Sequence, residues 1–305
     1  MEDRRGAGEA LEGLKRLEIS ARTSESLGGY TTMRVGGVTP LFVEPGSERE
    51  VELALSVLRE AWDGDAPLVL GRGSNLLPCD HGMARPVLFT GRLGGIEYGG
   101  NGRVRVGGGA PLAKVLSLCL KLGLEGLEPL SGIPATLGGM VAMNAGAFGR
   151  CIGDLVERVR LITFGGECLV LKGGDVEWGY RASSLKGMGV VTEVVLGLVE
   201  GGSLSVRREI ARFSRMRAEK QPLGLPSAGS VFKNPGSAPA GVLIERAGLK
   251  GSRVGGAAVS RKHANFIVNL GGATCTDVLG LVEVVKRKVL DVFGIELEEE
   301  IEYVC

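Results

Sequence analysis

Hydrophobic positions recur along the chain with two periods, and each period marks a different element. Val51, Ala54, Leu55 and Leu58 fall on one face at helical spacing. They follow Ser47 and Glu50, whose Ser-x-x-Glu spacing is a capping box, so a helix begins just after Ser47. A long amphipathic helix is predicted over 277–293, with Val278, Leu281, Val282, Val285, Val289 and Val292 on one face and Gly294 ending it. Further helices are predicted over 111–122, with Pro111 in the first turn, over the basic stretch 206–220, and over 240–247. Short apolar runs at 67–71, 86–90, 104–106, 155–163, 167–173, 190–199 and 265–269 read as strands, and 295–304 as a closing strand. The apolar run after Gly37 ends at Pro45 and forms, with the helix behind Ser47 and the strand 67–71, a small β-α-β unit. Residues 1–26 read as a polar lead-in with helical character.

Two glycine-rich segments interrupt this pattern. Gly71-Arg72-Gly73-Ser74-Asn75 directly follows a predicted strand. Such a loop turns tightly and presents backbone N–H groups, with Ser74 and Asn75 adding side-chain hydrogen bonds, to phosphate oxygens. It lacks the third glycine of a Rossmann fingerprint and the Lys-Ser/Thr of a Walker loop, and taken alone it reads first as a turn between strands. The segment 131–149 (SGIPATLGGMVAMNAGAFG) is too glycine-rich for a regular helix and too apolar for a solvated loop. Its glycines suit close approach to something flat or phosphorylated, or a tightly packed crossover. Two such segments point to one extended nucleotide cofactor lying between them.

Composition narrows the classes. Of 305 residues, 44% are hydrophobic and 23% charged, with a net charge of +1, which gives no field for a nucleic-acid or membrane partner. Glycine is high, 51 residues, without a collagen-like period. The six cysteines are scattered with no C-x-x-C pair, and with only His81 and His263 beside them no metal set assembles on spacing, so no metal is expected and the thiols read as reduced and packed. The first twenty residues lack an apolar signal-peptide core, and no apolar run reaches the length of a membrane span; the expected place is the cytoplasm.

Seven motifs, TTMRVGG, VLGRGSNLL, SGIPATLGGMVAMNAGAFG, GYRASS, AGSVFKNP, RKHANFIVN and LEEEIEYV, occur in the order seen in the UDP-N-acetylenolpyruvoylglucosamine reductases, over residues 31–304. The chain resembles that family. The resemblance implies an α+β protein: a two-lobed FAD-binding domain of the vanillyl-alcohol-oxidase (PCMH) type, residues 27–200 with lobes 27–91 and 92–200, and a smaller α+β substrate-binding domain, residues 201–305, behind the lead-in 1–26. It implies reduction of an enolpyruvyl ether on UDP-N-acetylglucosamine to a lactyl ether, with non-covalent FAD and NADPH as co-substrate, in the synthesis of a peptidoglycan precursor.

By the same resemblance, the cofactor is held by Gly71, Arg72, Gly73, Ser74, Asn75 and Leu76; by Ser131, Gly132, Ile133, Pro134, Thr136, Gly138 and Gly139; and by Asn144, Ala145, Gly146 and Arg217. Tyr180, Lys220 and Asn234 contact substrate. Hydride addition to an enolpyruvyl group leaves charge spread from C2 onto the carboxylate, so cations and donors must meet it and an acid must protonate C2. Arg181 matches the carboxylate clamp and Glu300 a protonated polarising acid, its pKa expected to be raised by Glu298, Glu299 and Glu302. Ser230 matches the proton donor, with Lys233 or Asn234 stabilising its alkoxide. His263 reads as a site-shaping residue.

Two departures stand out. Glu302 occupies a position that is often arginine in the family, and only about fifty residues separate Arg181 from Ser230, as in the shorter subtype without a tyrosine lid loop. The competing readings are a flavoprotein oxidase on the same fold and a nucleotide-binding module that has lost its chemistry.

Overall fold

The computed structural model describes residues 4–62, 65–236 and 238–305. Contacts divide the chain into two compact units, each discontinuous in sequence: residues 1–24, 40–72 and 85–216 in the first, and residues 25–39, 73–84 and 217–305 in the second. The sequence reading draws one contiguous boundary near residue 201; here two short early segments, 25–39 and 73–84, belong with the C-terminal part.

Seven helices lie among the described residues: α1 (Arg4–Arg16), α2 (Glu48–Ala61), α3 (Leu112–Leu122), α4 (Leu137–Ala142), α5 (Ser203–Lys220), α6 (Ala240–Arg246) and α7 (Cys275–Phe293). None is long and apolar enough to cross a membrane.

The first unit contains two sheets. One has the strand order Ser20–Ser26, Val38–Glu44, Val87–Phe89, Leu68–Leu70. Val87–Phe89 runs parallel to both Val38–Glu44 and Leu68–Leu70, so the strands flanking α2 are not adjacent, as a simple β-α-β unit would have them; a third strand lies between. The other sheet is antiparallel, with the order Cys168–Lys172, Val156–Thr163, Gly189–Gly197, Arg103–Gly107, Ile96–Gly100. α2 joins the two, because Val51 and Leu55 pack with Leu88 of the first sheet and with Ile162 and Val190 of the second. The other edge of its apolar stripe, Ala54 and Leu58, packs with Ala10 and Leu14 of α1. The N-terminal lead-in is therefore a docked helix and an edge strand, its two apolar positions four residues apart on one helical face.

The cap of α2 differs in one detail from the capping box. Ser47 Oγ accepts from the Glu50 N–H at 3.2 Å as expected, but the Glu50 carboxylate accepts from the Gly46 N–H at 2.8 Å. At α3, Pro111 is the N-cap, one place before the first turn.

The glycine-rich stretch 131–149 does contain a helix, α4, contrary to expectation. Leu137, Met140 and Val141, at helical spacing, are buried in the core of the second sheet. The glycines between them serve packing: the Gly138 N–H donates to Gly108 O at 2.7 Å, and a Cβ on Gly138 would stand 2.9 Å from that oxygen.

In the second unit a three-stranded antiparallel sheet, Arg253–Val254, Ala257–Val259 and Ile267–Asn269, packs on α7, which also packs against α6. Ala257, Val259 and Ile267 meet Val278, Leu281, Val282, Val285 and Val289, and the inserted segments add Met33, Val35 and Leu77. The predicted closing strand 295–304 is regular only at Glu302–Val304, which pairs in parallel with Leu76–Pro78. Before it, the backbone turns aside to bond Val231: the N–H groups of Glu300 and Ile301 both donate to the Val231 carbonyl, at 2.7 and 3.4 Å.

α7 starts two residues before the expected Asp277, with a reciprocal cap. The Asp277 N–H donates to Thr274 Oγ1 at 3.0 Å, and the Asp277 carboxylate accepts from Thr274 N–H at 3.0 Å and Gly256 N–H at 3.1 Å. The Thr274 and Gly256 backbone donors hold its carboxyl below the ordinary 3.8. A folded-state pKa below the unfolded one means the contribution is full above that ordinary value and is lost as pH falls through the lower folded value. Asp277→Asn should therefore lower the urea midpoint at neutral pH, and the gap from wild type should close below about pH 4. A gap that persists unchanged in acid would assign the effect to shape and not charge.

Candidate active site

In the first unit, the hairpin Trp178–Gly179/Ala182–Ser183 turns through two residues, Tyr180 and Arg181. Arg181 has φ +55°, the left-handed region, which costs a non-glycine residue about 1 kcal/mol and recurs at functional turns. Its guanidinium lies over the Tyr180 ring, 5.1 Å from the centroid. Two bonds pin this hairpin to the glycine-rich segment: Asn144 Nδ2 donates to Gly179 O at 2.9 Å, and Ser183 Oγ to Ala142 O at 3.0 Å. A Cβ on Gly146 would meet Cys151 Sγ at 2.6 Å and the Arg181 guanidinium at 3.5 Å. The fold thus brings Arg181 against Gly146, thirty-five residues earlier, which no spacing in the sequence revealed.

Asn144 itself is used inside the protein at both ends of its amide, since Oδ1 also accepts from the Gly153 N–H at 3.2 Å. It sits at φ +42°, a conformation asparagine tolerates better than most residues. Its side chain is a clamp for the Arg181 hairpin. Asn144→Ala should cost about 1–3 kcal/mol, through the loss of two part-buried hydrogen bonds at about 0.5–1.5 kcal/mol each, and lower the melting temperature accordingly. A thermal scan within a degree of wild type would refute the clamp.

In the second unit, Ser230 is half-buried between Ala228, at 2% exposure, and Val231, at 1%. Among the described residues its hydroxyl makes no hydrogen bond, which leaves both its proton and its lone pairs available to a ligand. The bond from Glu300 N–H to Val231 O places Glu300 against the residue that follows Ser230. Asn75 ties down the same stretch: its Nδ2 donates to Glu300 O at 2.9 Å, and its own carbonyl accepts from the Glu302 N–H at 2.8 Å. Assigned to the cofactor from the sequence, the Asn75 side chain here positions the Glu300 segment.

The acidic run is not the uncompensated cluster expected. Glu298 pairs with Lys233, and Glu299 pairs with Lys286 at 2.9 Å, an interaction that raises the Lys286 pKa. Two of the three neighbours invoked to raise the Glu300 pKa are thus charge-balanced. Nor is Lys233 aimed at a Ser230 alkoxide, since its ammonium is on Glu298. Asn234 Oδ1 accepts from the Ala240 N–H at 3.0 Å, supplying the start of α6 with a cap that Pro239 cannot.

His263 is held below the ordinary histidine pKa by burial first and then by Lys250, with Lys220 adding to the effect and Glu245 opposing it. Its Nδ1 accepts from the Asn265 N–H at 3.3 Å. A neutral, hydrogen-bonded imidazole at the edge of Phe266 fits a shaping role, and its field places Lys220 in the same neighbourhood.

Asn265 was missed. It is 4% exposed, and its amide bonds the Phe232 backbone twice, Oδ1 from the N–H at 3.0 Å and Nδ2 to the carbonyl at 2.8 Å, while its carbonyl accepts from Val231 N–H at 2.9 Å. It fixes the Ser230–Phe232 backbone. The signal was present: a polar residue opening an otherwise apolar run, NFIVN.

The glycine-rich loop fits a phosphate-bearing cofactor on one independent observation. Gly73 has φ +57°, and a Cβ there would stand 2.4 Å from Tyr30 O, so the loop is pressed onto residues 30–32. The Thr32 N–H donates to Gly73 O at 3.3 Å, and Thr32 Oγ1 is buried with no partner among the described residues. A buried hydroxyl beside such a loop is completed by an acceptor such as a phosphate oxygen. Arg217, whose Nη1 donates to Gln221 Oε1 at 3.2 Å, is a buried cation whose pKa burial lowers, suited to an anionic group.

Comparison with known proteins agrees with this architecture. An FAD binding domain description matches residues 39–172, and the description "UDP-N-acetylenolpyruvoylglucosamine reductase, C-terminal domain" matches residues 221–304. Residues 39–172 accordingly carry an FAD-binding domain of the PCMH type, in a two-domain α+β protein. The UDP-N-acetylenolpyruvoylglucosamine reductase of Moorella thermoacetica is 42% identical, over 97% of this chain and 96% of that one. The protein of the same description from Heliobacterium modesticaldum is 41% identical over 91% of this chain and 88% of its own. The crystal structure of UDP-N-acetylenolpyruvylglucosamine reductase from Thermus caldophilus superposes with a TM-score of 0.79 at 37% identity, over 94% of this chain and 99% of that one. With matches of this breadth from end to end, the chain belongs to the UDP-N-acetylenolpyruvoylglucosamine reductase family.

Proposed function

We propose that this chain reduces the enolpyruvyl ether of UDP-N-acetylglucosamine to the lactyl ether of UDP-N-acetylmuramate, with NADPH as reductant and FAD bound non-covalently, in the cytoplasmic synthesis of a peptidoglycan precursor. The observation that carries it is the placement of Ser230, a half-buried hydroxyl with no hydrogen bond among the described residues, in a backbone bonded directly to Glu300. FAD bound there would supply hydride chemistry, with NADPH as its reductant.

The chain's residues do the rest. The Arg181 fork, oriented by its hairpin, takes the substrate carboxylate and meets the charge that develops on it. Glu300, held by Asn75 and Val231, has the role of polarising the carboxylate and helps only while it carries a proton. Ser230 gives its proton to C2; a hydroxyl is acid enough for this because the carbanion is far more basic. Lys220 and Asn234 contact the UDP-sugar, with Tyr180 beside Arg181. Gly71 to Leu76, the segment from Ser131 to Gly146, and Arg217 hold the cofactor, with Thr32 added to that set.

The test is NADPH oxidation by the flavin-loaded protein under nitrogen, with and without the enolpyruvyl substrate. Substrate-dependent oxidation is expected. Flavin that NADPH reduces, that air reoxidises and that the substrate does not would overturn the reading in favour of an oxidase.

A further inference from the structure

In the second unit the strands Leu76–Pro78 and Glu302–Val304 run parallel, with Glu302 opposite Leu76, Tyr303 opposite Leu77 and Val304 opposite Pro78. The next residue on each is a cysteine. Parallel register therefore delivers Cys79 and Cys305 side by side, and the Cys79 N–H bonds Val304 O at 2.9 Å to fix them there. His81 completes a group: its Nε2 is 3.6 Å from Cys79 Sγ, and the ligand atoms of Cys79, His81 and Cys305 all lie within 4.8 Å of one another.

We propose that Cys79, His81 and Cys305 bind one zinc ion, which staples the strand behind Glu300 to the strand behind the glycine-rich loop. Two thiolates and one imidazole are a ligand set suited to zinc, and water fills the fourth position. With Zn–S near 2.3 Å and Zn–N near 2.0 Å, a tetrahedral ion holds its ligand atoms roughly 3.4–3.8 Å apart, so the cluster closes on the metal by about 1 Å or less. His81 and Cys305 are exposed and can make that adjustment. The ion replaces two thiol protons, which pass to solvent, and the neutral imidazole adds no charge, so the bound complex is electrically neutral.

The support around the three ligands is already built. Both Asp80 carboxylate oxygens are bonded to the start of α7, from Cys275 N–H at 2.6 Å, Thr276 N–H at 2.9 Å and Thr276 Oγ1 at 2.8 Å. The Cys79 carbonyl accepts from the Gly37 N–H at 2.9 Å, and the Met83 N–H bonds Val38 O at 2.8 Å. The loop that presents Cys79 and His81 is therefore fixed on both sides without metal. The strand opposite it is only three residues long, and the ion would tie its end. Sequence spacing argued against a metal because two of the ligands are more than 220 residues apart.

The test uses the flavin-loaded full chain, reduced, stripped by a chelator and then titrated with cobalt(II) and with zinc. One cobalt per chain is expected, with the intense ultraviolet absorption of sulfur-to-cobalt charge transfer, and zinc should displace it. Zinc should also shield Cys305, the exposed thiol of the pair, from alkylation and raise the melting temperature. Cys305→Ser and His81→Ala should each weaken binding by at least the roughly 10–100-fold that losing an outer partner costs. Cys168→Ser, an exposed thiol in the first unit, should leave binding unchanged. These readouts do not involve turnover, so they stand or fall apart from the proposed reaction. Absence of stoichiometric binding would overturn the proposal, as would binding indifferent to both Cys305→Ser and His81→Ala. So would recovery of a Cys79–Cys305 disulfide from protein purified under nitrogen.

Discussion

Replacing Ser230 with alanine is expected to leave reduction of the bound flavin by NADPH at its wild-type rate and to slow reoxidation by the enolpyruvyl substrate by roughly 10²–10⁴-fold. Ser230 is held by its neighbours: Ala228, Val231 and Phe232 are each at most 2% exposed, and the backbone bonds of Val231 and Phe232 run to Asn265 and the Glu300 segment. Among the described residues the hydroxyl makes no hydrogen bond, so its removal orphans no buried partner and changes volume by one oxygen. The folded protein should therefore melt as wild type. On the proposed mechanism it loses the proton for C2, which is needed in the substrate half-reaction and not in flavin reduction by NADPH. Stopped-flow traces of the two half-reactions under nitrogen separate the cases. Equal slowing of both halves would mean that Ser230 shapes the site and protonates nothing.

Legibility in the sequence followed the range of the interaction. α2 and α7 could be read because a helix face is a local pattern, and Ser47 with Glu50 three residues on marks the start of α2, whereas the Thr274 cap of α7 went unread and its start was placed two residues late. Strands such as Val156–Thr163 and Gly189–Gly197 were legible for the same reason. α4 was not, because Gly138 and Gly139 lower helix propensity locally while the burial of Leu137, Met140 and Val141 decides the outcome. The closing strand was overextended because the backbone N–H groups of Glu300 and Ile301 are claimed by Val231, a partner about seventy residues away. The same limit governs the site. Arg181, Ser230 and Glu300 came from motif order, whereas the closeness of Arg181 to Gly146, the engagement of Lys233 by Glu298 and the meeting of Cys79 with Cys305 depend on pairing that no local pattern encodes.

Asn265 carries the second large effect. Asn265→Ala should destabilise the protein by about 2–6 kcal/mol, because the Phe232 N–H and carbonyl each lose a buried partner at about 1–3 kcal/mol. That is a large share of the 5–15 kcal/mol typical of a folded domain, so a drop in melting temperature of many degrees is expected. Asn265→Asp should fare no better, since it keeps an acceptor for the Phe232 N–H but turns a carboxylate oxygen toward the Phe232 carbonyl at a site 4% exposed. The effect on turnover should have a definite shape. Asn265 fixes the two residues after Ser230, and Phe232 is also bridged to Glu299, next to Glu300. Loosening this backbone would misplace Ser230, the proposed proton donor, relative to Glu300. At temperatures where the variant is still folded, flavin reduction by NADPH should persist while substrate-driven reoxidation falls, the same split as for Ser230→Ala but accompanied by lost stability. A variant that melts early yet turns over normally while folded would confine Asn265 to the core and remove it from the positioning of Ser230.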